Sequence, residues 1–388
     1  MVLLRRLIAI VVIAVAGLVT ATVAHWRILP SSTVYLLVAT ALLAIGLFSS
    51  TFEVTRSGLS GNVGLVLNAV TFGVVCKAAL TAGTMYALFR VPEYMVLGVV
   101  IAQIDPLLVA VTRHRSRLSG RARAILSAWA SFDDPVTAIL AIYMSMVAVK
   151  LSPSDRDDGN LIFIIGGYSN AWLNALFNIL FAVVAFGMWR GLRALARRRG
   201  GSPSKPDTWP LWLRALAVVA LLVIGVVAVK WFLMLGIAIA GLFFRPSIDA
   251  ALRWVTPAAL TVAVFMLGLV LAGGVNVMPG VVLGVSAFVA QMIVGGLIVT
   301  RSLPSVRDRI RLALSQQNGI TAIILALLLE TIFPGFVAIV APAILVIGVL
   351  HLMSNAVLDR IEDSRRSTRE KSDNRLPDVD GKGLEFYP

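Results

Sequence analysis

The chain has 388 residues, of which 59% are hydrophobic and 14% are charged, and its mean hydropathy is +0.90. This composition excludes an ordinary soluble globular protein and indicates a membrane protein with several spans. The formal net charge is +14. The basic residues form short clusters between apolar runs and no basic face interleaved with aromatic residues, so a nucleic-acid partner is not expected. We therefore relate the positive charge to membrane topology.

Apolar segments that are long enough to cross a hydrocarbon core of about 30 Å recur along the whole chain. The first segment follows Arg5 and Arg6. A cleaved signal peptide is the less favoured interpretation of this segment, because the segment is long and lacks a clear A-x-A cleavage site. The eighth is short, and its junction with the seventh is the least distinct. The twelve predicted spans cover residues 7–25, 33–50, 61–88, 94–112, 124–149, 161–189, 209–229, 231–245, 255–273, 277–300, 312–331 and 333–352.

Arginine and lysine residues are concentrated in alternate connections between these spans. Because short cytoplasmic loops carry the excess of positive residues, the pattern predicts a multi-pass protein of the cell membrane with both termini in the cytoplasm. We predict a transmembrane domain over residues 1–353 and a polar, disordered cytoplasmic tail over residues 354–388. The basic connections lie at 5–6, 56, 113–123, 190–214, 245–253 and 301–311, and the opposite ones hold only Arg27, Arg90, Lys150, Arg156 and Lys230.

Four charged residues lie deep within predicted spans, namely Lys77, Asp105, Asp133 and Asp134. A charged side chain at the centre of a bilayer costs about 2.5–3.5 kcal/mol on insertion scales, and such residues usually mark an ion or proton pathway. The structural alternative is an ion pair between Lys77 and one aspartate. A single lysine cannot neutralise three carboxylates, so the pair alone does not account for them. Cys76, the single cysteine, is predicted to be a small buried side chain.

Asp105 lies in the string "IAQIDPLLVAV", where Pro106 interrupts the fourth span. Proline removes a backbone donor and obstructs the preceding turn, so the helix is predicted to break there. Broken helices at membrane depth line cavities and form the binding sites of secondary transporters. With a rise of 1.5 Å per residue, Asp105 and Asp133 both lie within about 10–15 Å of the cytoplasmic face. We therefore predict that Asp105, Asp133 and Asp134 share one cavity.

"IDP", followed by "FDDP" in the next span, resembles a motif pair of the monovalent cation:proton antiporter superfamily. In that superfamily a broken core helix with a T-D-P-like string precedes a helix with an N-D or D-D pair. The strings "AIGLFSSTFEV", "FGVVCKAALTAG", "LGIAIAGLFFRP" and "LALSQQNGITAIILAL" resemble further segments of the family in the correct order. The resemblance covers roughly residues 35–350.

The resemblance implies an all-α membrane protein of about twelve transmembrane helices, with two inverted repeats whose discontinuous helices cross. Its core helices would lie at about 61–149 and 277–352, and it would form a homodimer. The second break is predicted at Gln316–Gly319, where Gln317 and Asn318 would place neutral polar groups opposite Asp105. The alternative is a helix that simply begins as it leaves the cytoplasmic loop.

Two departures from the family limit what the resemblance implies. Trp129 stands where members with an N-D pair usually have a glutamate, and Gln291 stands roughly where members with a D-D pair have a base in the tenth span. We hypothesise that Lys77 replaces this base. Its α-carbon is predicted about 9 Å deeper than that of Asp133, and a lysine side chain reaches about 6 Å toward a polar group. The alternative is that Lys77 points into a water-filled funnel.

The predicted function is exchange of Na⁺ or K⁺ for H⁺ by alternating access. A carboxylate that binds either a hard cation or a proton makes the two loads mutually exclusive. Asp134 would be the shared carboxylate, with Asp133 beside it and Asp105 as a further cation ligand. A sodium-coupled symporter or a channel of the same fold stays open as an alternative. An intramembrane aspartyl protease is disfavoured because Y-D and G-x-G-D strings are absent, and no cofactor is expected.

Overall fold

The computed structural model describes residues 2–24, 30, 32–52, 64, 69–104, 118–152, 171–199, 206–299, 305–315 and 320–373. Within these residues the regular elements are all helical. The α-helices are α1 Val2–Val23, α2 Thr33–Phe52, α3 Val74–Phe89, α4 Glu93–Ile101, α5 Gly120–Leu151, α6 Ala171–Arg198, α7 Leu211–Lys230, α8 Met234–Phe243, α9 Asp249–Val270, α10 Val277–Ile293, α11 Val306–Ala313, α12 Ile320–Leu329 and α13 Phe336–Asp373.

Eight helical segments in the described part of the chain are long and apolar enough to cross a membrane. The helices α1, α4, α8 and α12, which are not among these eight, overlap the first, fourth, eighth and eleventh predicted spans. The chain is therefore a multi-pass membrane protein. A total of twelve spans is compatible with these helices and stays a prediction.

The helices pack both with sequence neighbours and with helices far away in the chain. The most extensive contacts join α1 to α9, α10 to α13, the consecutive helices α3 and α4, and α2 to α8, and α3 also packs against α10. The contact of α3 with α4 depends on Gly98, because a β-carbon there would lie 2.4 Å from the backbone of Ala82. Glycine at this position lets α4 pass close to the helix that carries Lys77.

The predicted break in the fourth span is accompanied by an early helix end. The helix α4 ends at Ile101, and residues 102–104 are not helical. Pro106 has no amide hydrogen to donate to the carbonyl of Ala102, so a regular helix cannot continue through this turn. Asp105 and Pro106 themselves lie outside the described residues. The backbone N–H of Ile104, just before them, donates to a side chain on α5 instead.

The turn between α12 and α13 is held by a buried carboxylate. Glu330 accepts hydrogen bonds from the backbone amides of Gly335 and Val337, each 2.7 Å long. These amides belong to the first turn of α13 and the residue before it, where a helix has unsatisfied donors. Gly335 has a φ angle of +94°, a conformation that favours glycine. The carboxylate thus fixes the start of α13 relative to the end of α12.

The structure corrects the predicted start of the disordered tail. The helix α13 continues to Asp373, so residues 354–373 are helical, and residues 374–388 lie outside the described part of the chain. Arg311 on α11 donates to Asp359 at 2.7 Å and also pairs with Glu362, to which Arg307 donates as well. These ion pairs hold the polar extension against α11. The sequence alone showed a charged segment without showing its partners.

Candidate ion-binding site

The two adjacent aspartates lie near the middle of α5, where they are almost completely buried. The exposed fraction is 0% for Asp133 and 1% for Asp134. The start of the helix is fixed by Ser119, whose hydroxyl accepts from the Ala122 amide at 3.2 Å and whose own amide donates to Asp308 on α11 at 3.1 Å. Because adjacent helical residues point in directions about 100° apart, the two carboxylates face different neighbours.

Asp133 is held by a charged and a neutral donor on the same oxygen. Lys77 Nζ donates to Oδ2 at 2.8 Å, and the backbone amide of Ile104 donates to the same atom at 2.8 Å. Thr137 donates to Oδ1 at 3.5 Å, from one turn later on α5. Lys77 is fully buried. The contact between Lys77 and Asp133 that the sequence predicts is therefore present, whereas its role in transport stays a prediction.

Lys77 also lies near the ring of Trp129. The distance from Nζ to the centroid of the ring is 5.4 Å, within the range of a cation–π interaction. Trp129, Asp133 and Thr137 are four residues apart, so they share one face of α5. Trp129 thus offers an aromatic ring to the lysine from the position where the resemblance implies a glutamate.

Asp134 receives a hydrogen bond from a different helix. Thr321 Oγ1 donates to Asp134 Oδ2 at 2.8 Å. Thr321 lies in the first turn of α12 and is 2% exposed. Thr321 is not among the site residues predicted from the sequence. The sequence feature that indicates it is its position as the polar residue in the otherwise apolar helix sequence ITAIILALLL.

The structure describes one of the four remaining predicted site residues. Gln291 is buried on α10, and its Nε2 donates to the backbone oxygen of Leu312 at 3.3 Å, in the last turn of α11. Asp105, Gln317 and Asn318 lie outside the described residues, so their place in the site stays a prediction. The same is true of the predicted break at 316–319, although one helix ends at Ala313 and another begins at Ile320.

A cavity of about 40 Å³ lies beside α5, just beyond the aspartates. It is lined by Pro135 and Ala138 of α5, by Leu47 of α2, and by Asn174 and Asn178 of α6. Pro135 directly follows Asp134, and Ala138 follows it by one helical turn. Most of its lining side chains are apolar, and Tyr143, Asn174 and Asn178 are the polar members. The cavity therefore offers a small, mainly apolar space within one turn of Asp134.

Comparison with known proteins reveals similarity at the level of three-dimensional structure. No family model matches the sequence, and no curated protein matches it. The structure of the sodium proton antiporter MjNhaP1 from Methanocaldococcus jannaschii at pH 8 matches with a TM-score of 0.54 and 16% identity, over 91% of this chain and 96% of that chain. A structure of the same antiporter from an electron microscopy map matches with a TM-score of 0.58 and 16% identity, over 90% and 89% of the two chains.

The chain has the fold of this sodium proton antiporter. The predicted antiporter-like fold class is therefore confirmed. Because a fold hosts more than one function, the function has to be argued from the site.

Proposed function

We propose that the protein is a secondary antiporter that exchanges a monovalent cation, Na⁺ or K⁺, for H⁺ by alternating access. The observation that carries this proposal is a buried pair of adjacent carboxylates of which one, Asp133, is paired with a buried lysine. The antiporter fold supports the same proposal.

The three described charged residues of the site leave one negative charge for an exchangeable load, before any contribution from Asp105. Lys77 contributes +1, and Asp133 and Asp134 together contribute −2 when ionised, so their sum is −1. One proton or one monovalent cation brings this sum to zero. Since an uncompensated charge at membrane depth costs several kcal/mol, the site is stable with either load and unstable without one. This is the condition for exchange at a single site.

Asp134 is the better carrier of the two carboxylates. A cation that binds to Asp133 Oδ2 would have to displace both the Lys77 ammonium and the Ile104 amide. At Asp134 Oδ2 the corresponding donor is the Thr321 hydroxyl, which has acceptor lone pairs of its own and can turn toward a cation. Asp134 is therefore proposed as the shared cation and proton site, with Asp133 and Lys77 as a fixed pair beside it. Asp105 is proposed as a further cation ligand.

Alternating access follows from the cost of an empty site. A core that carries the aspartates moves past the remaining helices with a neutral site, loaded with cation or proton, more readily than with a charged one. The cavity beside Pro135 is proposed as part of the approach to the site on one side of the membrane. The same proposal has the protein in the cell membrane, with both termini in the cytoplasm, as a homodimer.

Reconstitution in liposomes with an enclosed pH dye tests the proposal. The membrane potential is held at zero by equal concentrations of a permeant anion, and Na⁺, Li⁺, K⁺ or Rb⁺ is added outside in turn. An antiporter makes the lumen more alkaline than the outside solution. A channel cannot do this at zero potential, and a sodium-coupled symporter without its solute leaves the luminal pH unchanged. Asp134→Asn, inserted to the wild-type level, should abolish the response. Absence of alkalinisation with all four cations would exclude the proposed exchange.

A further inference from the structure

Thr321 combines two features. Its hydroxyl donates to the carboxylate of the proposed carrier, Asp134, at 2.8 Å, and it comes from a different helix, α12. Both side chains are buried. A threonine hydroxyl in a transmembrane helix usually donates to a backbone oxygen in its own helix, as Thr40 and Thr81 do here. The Thr321 hydroxyl is directed at the carboxylate instead.

We propose that Thr321 is a specificity-determining residue. Its hydroxyl oxygen and the Asp134 carboxylate together form the site that sets the preference between cation and proton. The inference rests on the proposed antiport. In the empty state the hydroxyl donates to the ionised carboxylate. When a cation enters, the hydroxyl turns and offers a lone pair to it, and when Asp134 is protonated, the hydroxyl accepts from the carboxylic acid. The carboxylate alone would lack this hydroxyl oxygen.

The helix that carries Thr321 is held firmly in place. The Tyr35 hydroxyl of α2 donates to the Leu327 carbonyl at 2.8 Å, and residues 322–329 are all at most 1% exposed. At the end of α12, Glu330 binds the start of α13. The hydroxyl is also on a β-branched side chain, whose χ1 angle is restricted in a helix. The oxygen is therefore presented at a defined position, as a selective site requires.

The charged groups around Asp134 are independent of Thr321. Among the described residues these are Asp133, adjacent on α5, and Lys77 on α3, which interacts electrostatically with Asp134. Neither is hydrogen-bonded to Thr321 in the structure. Removal of the hydroxyl therefore takes away one direct partner of Asp134 and leaves the charges in place, so its effect is separable from that of the Lys77–Asp133 pair.

The test compares Thr321→Val, which removes the hydroxyl at nearly constant shape, with Thr321→Ser, which keeps it. Thr40→Val is the matched control, because Thr40 is equally buried and donates only to the Leu36 carbonyl of its own helix. Cation dissociation constants are measured on purified protein from cation-induced thermal stabilisation, and exchange is measured in liposomes as a function of cation concentration and pH.

Because the bound cation loses an oxygen ligand, Thr321→Val should raise the cation dissociation constant and KM about tenfold or more. It should also move the pH of half-maximal exchange upward, because the ionised carboxylate loses its donor. Thr321→Ser and Thr40→Val should keep both within about threefold of wild type. Thr321→Ala replaces the valine variant if that variant is not recovered folded.

A purely structural role predicts a different result, in which melting temperature and maximal rate fall while KM and the pH profile stay at wild-type values. That result, or equal effects of the valine and serine variants, would overturn the inference. If the wild type itself shows no exchange in liposomes, the proposed function fails. If the wild type exchanges and Thr321→Val exchanges with the same KM and pH profile, only the role of Thr321 fails.

Discussion

The ion pair between Lys77 and Asp133 is expected to set the pH range of exchange, and a double-mutant cycle tests this. The two charged atoms are 2.8 Å apart and both side chains are fully buried. At an effective dielectric constant of about 20, their attraction is about 6 kcal/mol, most of which offsets the desolvation of the two charges. Removing one partner of a buried pair typically costs about 3–5 kcal/mol, because the other charge is left unpaired.

Lys77→Gln leaves two adjacent carboxylates without the positive charge. The site then avoids the charged state by binding protons, and exchange should reach half its maximal rate at a pH at least about one unit higher, since one unit corresponds to about 1.4 kcal/mol. Asp133→Asn leaves the Lys77 ammonium beside Asp134, where it competes with the cation, so KM should rise about tenfold or more. The double variant restores a sum of charges of −1, and both quantities should return most of the way to wild type.

The assay is dye-based exchange in liposomes at several pH values for the four proteins, with insertion checked by size-exclusion chromatography of the extracted protein. Lys150→Gln is the matched control, because Lys150 lies exposed in the last turn of α5. A coupling energy of at least about 1 kcal/mol is expected for residues in direct contact. Additive effects of the two substitutions on the pH midpoint and KM would refute the counter-charge role of Lys77.

Three substitutions test the packing that holds the site. Gly98→Ala should lower the melting temperature of the purified protein by the equivalent of about 1–3 kcal/mol, because the added β-carbon would clash with the α3 backbone. Gly83→Ala on α3 is the control, since its β-carbon would have no atom within 4 Å, and it should not lower the melting temperature. Glu330→Gln should lower the free energy of unfolding by about 1–3 kcal/mol, since one of the two oxygens that accept from backbone amides becomes an NH₂ group. An unchanged melting temperature would contradict this capping role. Arg311→Gln should make residues 354–373 sensitive to proteolysis, because it removes the ion pairs with Asp359 and Glu362. Arg360→Gln, at an exposed position of the same helix, should not. Equal cleavage of both variants would show that the ion pairs do not hold the extension.

The burial of the aspartates and the partner of Lys77 could be predicted from the sequence because both are questions of charge and depth. An ionised group in an apolar span is costly unless paired, and a deep lysine has few acceptors within reach. Helix periodicity then gives the depth of each residue to within about a turn. Asp133 was therefore a predictable partner for Lys77, and the contact is present.

The donors from distant segments could not be predicted in the same way. The Ile104 amide reaches Asp133 because α4 ends at Ile101, a boundary that depends on the turn before Pro106 and on how α4 packs. Thr321 follows Asp134 by 187 residues in the chain, and it reaches the aspartate because α12 begins at Ile320. The continuation of α13 depends on ion pairs with α11, and a charged segment shows the same composition with or without such partners.

The position of the base also shows why motifs alone do not fix the electrostatics of the site. The resemblance implies a base in the tenth span, and Gln291 there hydrogen-bonds to the end of α11. Lys77 supplies the positive charge from α3, while Trp129 places a ring where an acidic side chain would have added a further negative charge. An ionised glutamate at position 129 would bring the sum over these described residues to −2. With tryptophan there, the sum over Lys77, Asp133 and Asp134 stays at −1, so the ring on α5 accompanies the lysine without adding a further charge.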